Sequence, residues 1–344
     1  MTFTIGVDLG GTKTAAGLVR ADGSVTFRVS AATPAASGPE AVLNTIVELA
    51  STLIDSAAGA VVAGCGIGAA GVIDPVSRSV LAATNSLPGW AGTRLGDEIE
   101  RRIGLQVATV NDVHAHALGE AVHGAGNGER TVLVMAAGTG IGGALVIDGA
   151  LQSGRHGAAG HYGHIPAEEA AGIVCSCGRV GHLEAIASGP AILAAYLRNG
   201  GAPAADTQAV FARADAGETL AAETIATAAS AMGRAIGGLI NSLDPDLVIV
   251  GGGLASAGPR WWDPVVDAAR SESMDLLAGC RIVQPTLGAD SAIVGAASLI
   301  GTGTSIGAAP LIDGGPLIGG EISVPDRTGT SPLELVELAN GPSA

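Results

Sequence analysis

Lysine is almost missing from this chain of 344 residues: it occurs once, at position 13, and every other basic residue is an arginine. The 17 basic residues stand singly or in pairs against 32 acidic ones, leaving a net charge of −15. A duplex-binding surface needs clustered cations to displace counterions, so nucleic acid is not expected as a partner. Long apolar runs are missing too. No stretch of 18 or more apolar residues goes uninterrupted, which leaves no candidate membrane-spanning helix. The opening MTFTIGVDLGG has neither the basic stretch nor the apolar core of a secretory signal, and a cytoplasmic protein is expected. No G-x-x-x-x-G-K-[ST] phosphate loop occurs anywhere. Cysteine is sparse, with four in all. Cys65 and Cys280 have apolar neighbours and read as buried core thiols, whereas Cys175 and Cys177 form a C-x-C in a polar segment.

What the chain does have is glycine, 54 of them, within a composition 47% hydrophobic and 14% charged. That describes a packed globular protein with many tight turns and enough length for about two domains. The first segment reads as a strand, and 15–19 and 24–30 flank Asp22-Gly23, a hairpin signal. Helical spacing covers 38–58, and strand character returns at 61–68. A helix over 93–103, a strand over 106–110 and a helix over 112–123 follow, an α/β pattern. Setting residues 4–19 against 131–146 aligns identical residues at Thr4/Thr131, Val7/Val134, Gly11/Gly138, Thr12/Thr139, Leu18/Leu145 and Val19/Val146. Each copy reads as strand, Gly-Thr turn, strand, and each precedes an Asp-Gly dipeptide. The distance between them is too long for a solenoid repeat. Two halves on one plan are expected, each supplying a glycine hairpin. The second half continues with a loop over 150–182, helices over 183–197, 206–214 and 218–242, a strand over 246–253, a helix over 262–277, a strand over 281–284 and a helix over 290–301. Residues 302–344 are rich in Gly, Pro, Ser and Thr and read as a poorly ordered tail outside the active site.

Several motifs carry chemistry. In Asp8-Leu9-Gly10-Gly11-Thr12-Lys13, glycines let backbone N–H groups approach an oxyanion. Thr12 adds a hydroxyl, Asp8 suits the outer shell of Mg²⁺, and Lys13 is the lone lysine. The second hairpin, with Gly138, Thr139 and Gly140, can face the first and grip a phosphate chain with it. Residues 138–143 also fit G-x-G-x-x-G, but a strand follows where a dinucleotide fold needs a helix. Residues 66–71 fit the same pattern by chance. A buried strand ends in Gly251, Gly252 and Gly253, where an adenine or ribose can lie against backbone. Asn111 and Asp112 end a strand and open a helix. There an aspartate is ordinarily a cap, and its functional reading is a general base for a hydroxyl attacking a γ-phosphate. Four of the seven histidines and two of the four cysteines fall within 156–182. This clustering points to a zinc site formed by His164, Cys175, Cys177 and His182, with a redox dithiol as the rival reading.

Taken in order, DLGGTK (8–13), AAGVID (69–74) with Asn85, NDVHAHALGE (111–120), GTGIGG (138–143) and the GHYGH and CSCGRVGHLE stretches (160–164 and 175–184) resemble the ROK family of sugar kinases and repressors. The resemblance runs from Gly6 to about Ile300. It implies a two-domain actin/hexokinase-like, duplicated ribonuclease H-like α/β fold with ATP in the interdomain cleft. The domains would span 1–115, rejoined by the helix at 290–301, and 116–289. It also implies Asp112 as catalytic base, and Gly71, Asn85, Asn111, His164 and Glu184 at the sugar, with ATP, Mg²⁺ and structural Zn²⁺ as cofactors. A 6-phosphate product and a homodimer or tetramer are implied as well. Two departures matter. Most family glucokinases carry Glu where this chain has His161, and the surrounding pattern is similar to bacterial N-acetylmannosamine kinases. A glutamate accepts from two hydroxyls, whereas His161 offers one donor or acceptor per nitrogen, which suits a 2-acetamido sugar. At His182 the family usually has a third zinc cysteine, and histidine is a competent substitute. The expected activity is phosphorylation of N-acetylmannosamine, with a glucokinase as the alternative. A repressor is disfavoured because family repressors carry a helix-turn-helix ahead of the first glycine motif, and a non-catalytic sugar sensor ranks lower.

Overall fold

Alternating burial through Ile5, Val7 and Leu9 makes the first segment a central strand, and the rest of the first sheet is built around it. The computed structural model describes residues 1–83 and 87–300. Asn85 and the tail beginning at 302 lie outside the described residues.

The first half contains β1 (Thr2–Leu9), β2 (Lys13–Val19), β3 (Val25–Ala32), α1 (Pro39–Ser56) and β4 (Val61–Ala69). It continues with β5 (Val72–Asp74), β6 (Ser79–Ala82), α2 (Leu95–Ile103), β7 (Val107–Asn111) and α3 (Asp112–His123). Its sheet has the order β3-β2-β1-β4-β7, with the first three strands antiparallel and β1, β4 and β7 parallel. The second half contains β8 (Thr131–Ala137), β9 (Ile141–Ile147), β10 (Ala150–Leu151), α4 (Glu184–Ala187) and α5 (Gly189–Arg198). It ends with α6 (Thr207–Asp215), α7 (Thr219–Leu243), β11 (Leu247–Gly251), α8 (Pro259–Glu272), β12 (Arg281–Val283) and α9 (Ser291–Ser298). Its sheet has the order β10-β9-β8-β11-β12, strand for strand the same plan. The repeat at 4–19 and 131–146 is therefore a repeat of topology. One detail differs: Leu9 faces Thr14 across the first turn, while Ala137 faces Ile141 across a turn one residue tighter.

The last helix of each half joins the two. α3 and α9 cross where each offers a glycine. A Cβ on Gly119 would lie 2.1 Å from the Ser291 carbonyl oxygen, and one on Gly295 would lie 1.8 Å from that of Ala115. α9 also rests directly on β1 and β4, its Ile293 and Ala296 carbonyls filling the space a side chain on Gly6 or Gly66 would need. The glycines of β4 thus serve close helix–sheet packing, which accounts for Gly66 and Gly68 of the G-x-G-x-x-G at 66–71, whereas Gly71, at φ +111°, approaches the Ala82 carbonyl. At this crossing sits Glu120, with no exposed surface. It accepts hydrogen bonds from Ser291 Oγ (2.6 Å), Leu287 N (2.8 Å), Thr286 N (2.9 Å) and Ala125 N (3.2 Å). Burial pushes its carboxyl up, but these donors outweigh burial and hold it below its ordinary value.

Three expectations shift in detail. The helix read over 183–197 is two, because Ser188 ends α4 and caps α5, with Pro190 in the first turn. The helix read over 262–277 starts earlier, at Pro259, and ends at Glu272. Cys65 is fully buried, its thiol pushed up to about 12, but Cys280 is only half-buried at the edge, its Sγ 3.4 Å from the Pro245 carbonyl. Among the described residues, no helix is long and apolar enough to cross a membrane.

Candidate active site

Parallel strands deliver their C-terminal ends to one edge of a sheet, and here two carboxylates arrive together. Asp8, one residue before the end of β1, stands opposite Gly68 of β4, which in turn pairs with Val110 of β7, one residue before Asn111. Asn111 is the cap of α3: its Oδ1 accepts from Val113 N (2.9 Å) and His114 N (3.3 Å), and its Nδ2 donates to the Gly71 carbonyl (2.8 Å). The capping ordinarily given to an aspartate thus falls to Asn111, although Asp112 Oδ1 shares the Val113 N–H at 2.9 Å. Burial first, and the Asp112 carboxylate second, push Asp8 up to about 6, with Lys13 pulling the other way. Burial likewise raises Asp112, opposed by the Val113 N–H and Asn111. Two carboxyls in one water-poor place titrate together. The pair suits a site where one oxygen set meets a hydrated cation and the other takes a proton.

The β8–β9 turn closes with Gly138 N donating to the Gly140 carbonyl (3.0 Å), and it is fastened by Gly189 N donating to the Gly138 carbonyl (2.8 Å). Gly138 and Thr139 form a ridge between two compartments. One, of about 560 Å³, is lined by Gly71, Asn111, His161, His164 and Glu184 among others. The other, of about 830 Å³, is lined by Thr207, Gln208, Phe211, Asp215, Gly253 and Ser256 among others. The glycine triad is divided: Gly252 faces the first, Gly253 the second, and Gly251 packs against His116 of α3. Asp8 and Asp112 line neither compartment, and nor do Gly10, Gly11, Thr12 and Lys13. The turn at 10–13 closes through Gly10 N donating to the Lys13 carbonyl (3.1 Å) and is held by Thr33 Oγ1 donating to the Gly10 carbonyl (2.8 Å).

The histidine-rich segment wraps the first compartment. His114 Nε2 donates to the Ala159 carbonyl (2.8 Å), and His161 Nδ1 donates to that of Ala158 (2.9 Å). Both bonds fix ring orientation, and in a neutral His161 ring the second would leave Nε2 as the acceptor. Gly160, at φ +88°, passes so close to β9 that a Cβ would lie 2.1 Å from the Gly143 carbonyl oxygen. Beyond it, His164, Cys175, Cys177 and His182 place their donor atoms within 4.8 Å of one another. Cys175 Sγ is 3.6 Å from His164 Nδ1, and Cys177 Sγ is 3.2 Å from His182 Nδ1. Tetrahedral zinc with Zn–S near 2.3 Å and Zn–N near 2.0 Å gives S···N edges of about 3.5 Å, so the four residues fit that ion. Burial lowers His164 toward the neutral form a ligand needs. The cysteines are not joined in a disulfide.

Residues 4–302 match the ROK family. The chain belongs to the ROK family. A glucokinase from Thermotoga maritima is 36% identical over 311 residues, 86% of this chain and 96% of that one. An N-acetylmannosamine kinase from Escherichia coli is 36% identical over 257 residues, 74% of this chain and 84% of that one. The crystal structure of a ROK family glucokinase from Streptomyces griseus in complex with glucose and AMPPNP superposes with a TM-score of 0.71 at 31% identity, covering 87% of this chain and 99% of that one. The duplicated actin/hexokinase-like fold is thereby that of ROK hexokinases.

Sequence reasoning missed most of the second compartment of this ROK protein. Its wall is one face of α6, with Gln208, Phe211 and Asp215 at helical spacing. The caps Ser188 and Asp206 were a usable signal for where α5 and α6 begin. It also missed the β5–β6 hairpin, which brings Val72 and Ala82 to the first compartment, and Ser176, which lines it between the two cysteines.

Proposed function

We propose that this ROK sugar kinase uses MgATP to phosphorylate an N-acetylhexosamine, N-acetylmannosamine before others, at its 6-hydroxyl. The observation that supports this choice is His161. With Nδ1 committed to the Ala158 carbonyl, it offers the first compartment a single acceptor, Nε2. One acceptor matches the single N–H of a 2-acetamido group, whereas a glutamate would serve two hydroxyls. Glucose is the second reading, favoured by the 36% identity to the Thermotoga maritima glucokinase across most of both chains.

In this reading the sugar occupies the compartment with Asn111, His161, His164 and Glu184, and the nucleotide lies across the ridge at Gly138 and Thr139. The sugar hydroxyl attacks the γ-phosphorus, the bond from that phosphorus to the β-bridging oxygen breaks, and Asp112 takes the hydroxyl proton. Burial raises the Asp112 carboxyl, which makes it a stronger base once ionised. Asn111 sets where Asp112 stands by capping α3 and tying it to the Gly71 carbonyl. Mg²⁺, when bound, neutralises phosphate charge, and Asp8 with its raised carboxyl is the residue to hold its water shell. Zn²⁺, held by His164, Cys175, Cys177 and His182, would supply a fixed frame for the sugar-facing loop.

The test is coupled ADP release with MgATP across N-acetylmannosamine, glucose, mannose, N-acetylglucosamine and glucosamine, with Asp112→Asn as blank. The highest kcat/KM is expected on N-acetylmannosamine. A preference for glucose overturns the His161 argument and leaves a glucokinase.

A further inference from the structure

Ser176 stands between the two cysteines of the C-x-C, yet it faces the first compartment, not the cluster alone. Its hydroxyl donates to Glu184 Oε1, and its Oγ lies 3.8 Å from Cys175 Sγ. The other carboxylate oxygen, Glu184 Oε2, accepts from Ile141 N at 2.9 Å. It also lies against the β8–β9 turn, 2.9 Å from where a Cβ of Gly140 would be. A carboxylate held at both oxygens by donors from two different segments has a fixed plane. Released at one oxygen, it rotates about its terminal torsion, which is broad for glutamate.

We propose that Ser176 is a positioning residue that locks Glu184, and through it the β8–β9 turn, to the His/Cys segment. A disturbance of that segment then reaches the phosphate-facing turn by two hydrogen bonds. The sugar half of this inference rests on Glu184 facing the sugar as proposed above; the turn half does not.

Ser176→Ala and Ser176→Thr in the full-length protein test it with three readouts: bound zinc by elemental analysis, hydrogen exchange of the peptide covering 138–145, and calorimetric affinity for the preferred sugar. Ser176→Ala is expected to keep its zinc, to speed exchange at 138–145 about tenfold and to weaken sugar binding about tenfold, the scale of one hydrogen bond to a charged group. Ser176→Thr, which restores the hydroxyl, is expected to match wild type on all three. Unchanged exchange in Ser176→Ala overturns the inference. Loss of zinc in Ser176→Ala also overturns it, since the serine would then merely hold the loop together, as does failure of Ser176→Thr to restore exchange. Altered exchange in a protein whose wild type binds none of the sugars leaves the lock standing and strikes the proposed function instead.

Discussion

Replacing Asp8 by asparagine should make the protein more stable and, at the same time, nearly inactive. Burial and the neighbouring Asp112 carry the Asp8 carboxyl from 3.8 to about 6. At 1.36 kcal/mol per tenfold change in proton affinity, that corresponds to about 3 kcal/mol of preference for the protonated form in the fold. The folded pKa lies above the unfolded one, so ionised Asp8 costs stability above pH 6, and the cost fades as pH falls toward 3.8. Asparagine has nearly the same shape and carries no charge at any of these pH values. Urea unfolding without Mg²⁺ or nucleotide should therefore show Asp8→Asn more stable than wild type by about 3 kcal/mol at pH 8, and by roughly half of that at pH 5. Under turnover conditions the same variant should lose at least about 100-fold in kcat, because the carboxylate proposed to hold the hydrated cation is gone. A site that sacrifices stability for chemistry shows this opposition. A variant no more stable than wild type at pH 8, or a gain that is equal at pH 5 and pH 8, would refute the electrostatic account.

Asp112→Asn should lower kcat by about 100-fold or more while sugar affinity by calorimetry stays within a few-fold, as expected of a lost base. The acid limb of kcat/KM in wild type should lie above the ordinary carboxylate range, because burial raises Asp112. Removing one of the four proposed zinc ligands with His182→Ala should lower zinc content and melting temperature together, whereas His182→Cys should retain both; equal zinc in His182→Ala and wild type would remove His182 from the ligand set. Gly160→Ala should cost more than about 2 kcal/mol in urea unfolding, since the position has φ +88° and a Cβ would lie 2.1 Å from the Gly143 carbonyl oxygen.

The halves of the fold were legible because a 127-residue offset lines up Gly11 with Gly138 and Thr12 with Thr139, and glycine turns between strands leave a local signature. The His/Cys cluster was legible because histidine and cysteine are rare elsewhere in the chain. The loop brings the four side chains together by folding back on itself through the Val174–Val180 and Pro166–His182 bridges. What was not legible depends on tertiary approach. The β5–β6 hairpin is too short to show an alternation. The compartment along α6 exists only because the turn after β11 comes to lie opposite Gln208 and Phe211. Nothing local marks Glu120 as a buried acceptor for residues more than 160 positions away.

A duplicated frame raises the question of why the two hairpins do not carry the same groups. Because the second turn is one residue tighter, the register partner of Asp8 is Ala136: Asp8 faces Ala15 as Ala136 faces Gly142. Ala136 is half-buried and lines the first compartment, so the matching place in the second half carries no charge. The residue 127 positions after Lys13 is Gly140, which a side chain could not occupy without moving Glu184 Oε2, 2.9 Å from its Cβ position. The first hairpin therefore carries the charge, and the second, one residue tighter, presents bare backbone. Phosphoryl transfer wants this division: charged groups where a hydrated cation must be held, and N–H donors where the phosphate chain must be approached closely. The helices that join the halves are near-copies in placement, yet of the two it is α3 that begins with a carboxylate at the cleft, so one symmetric frame holds a one-sided reaction.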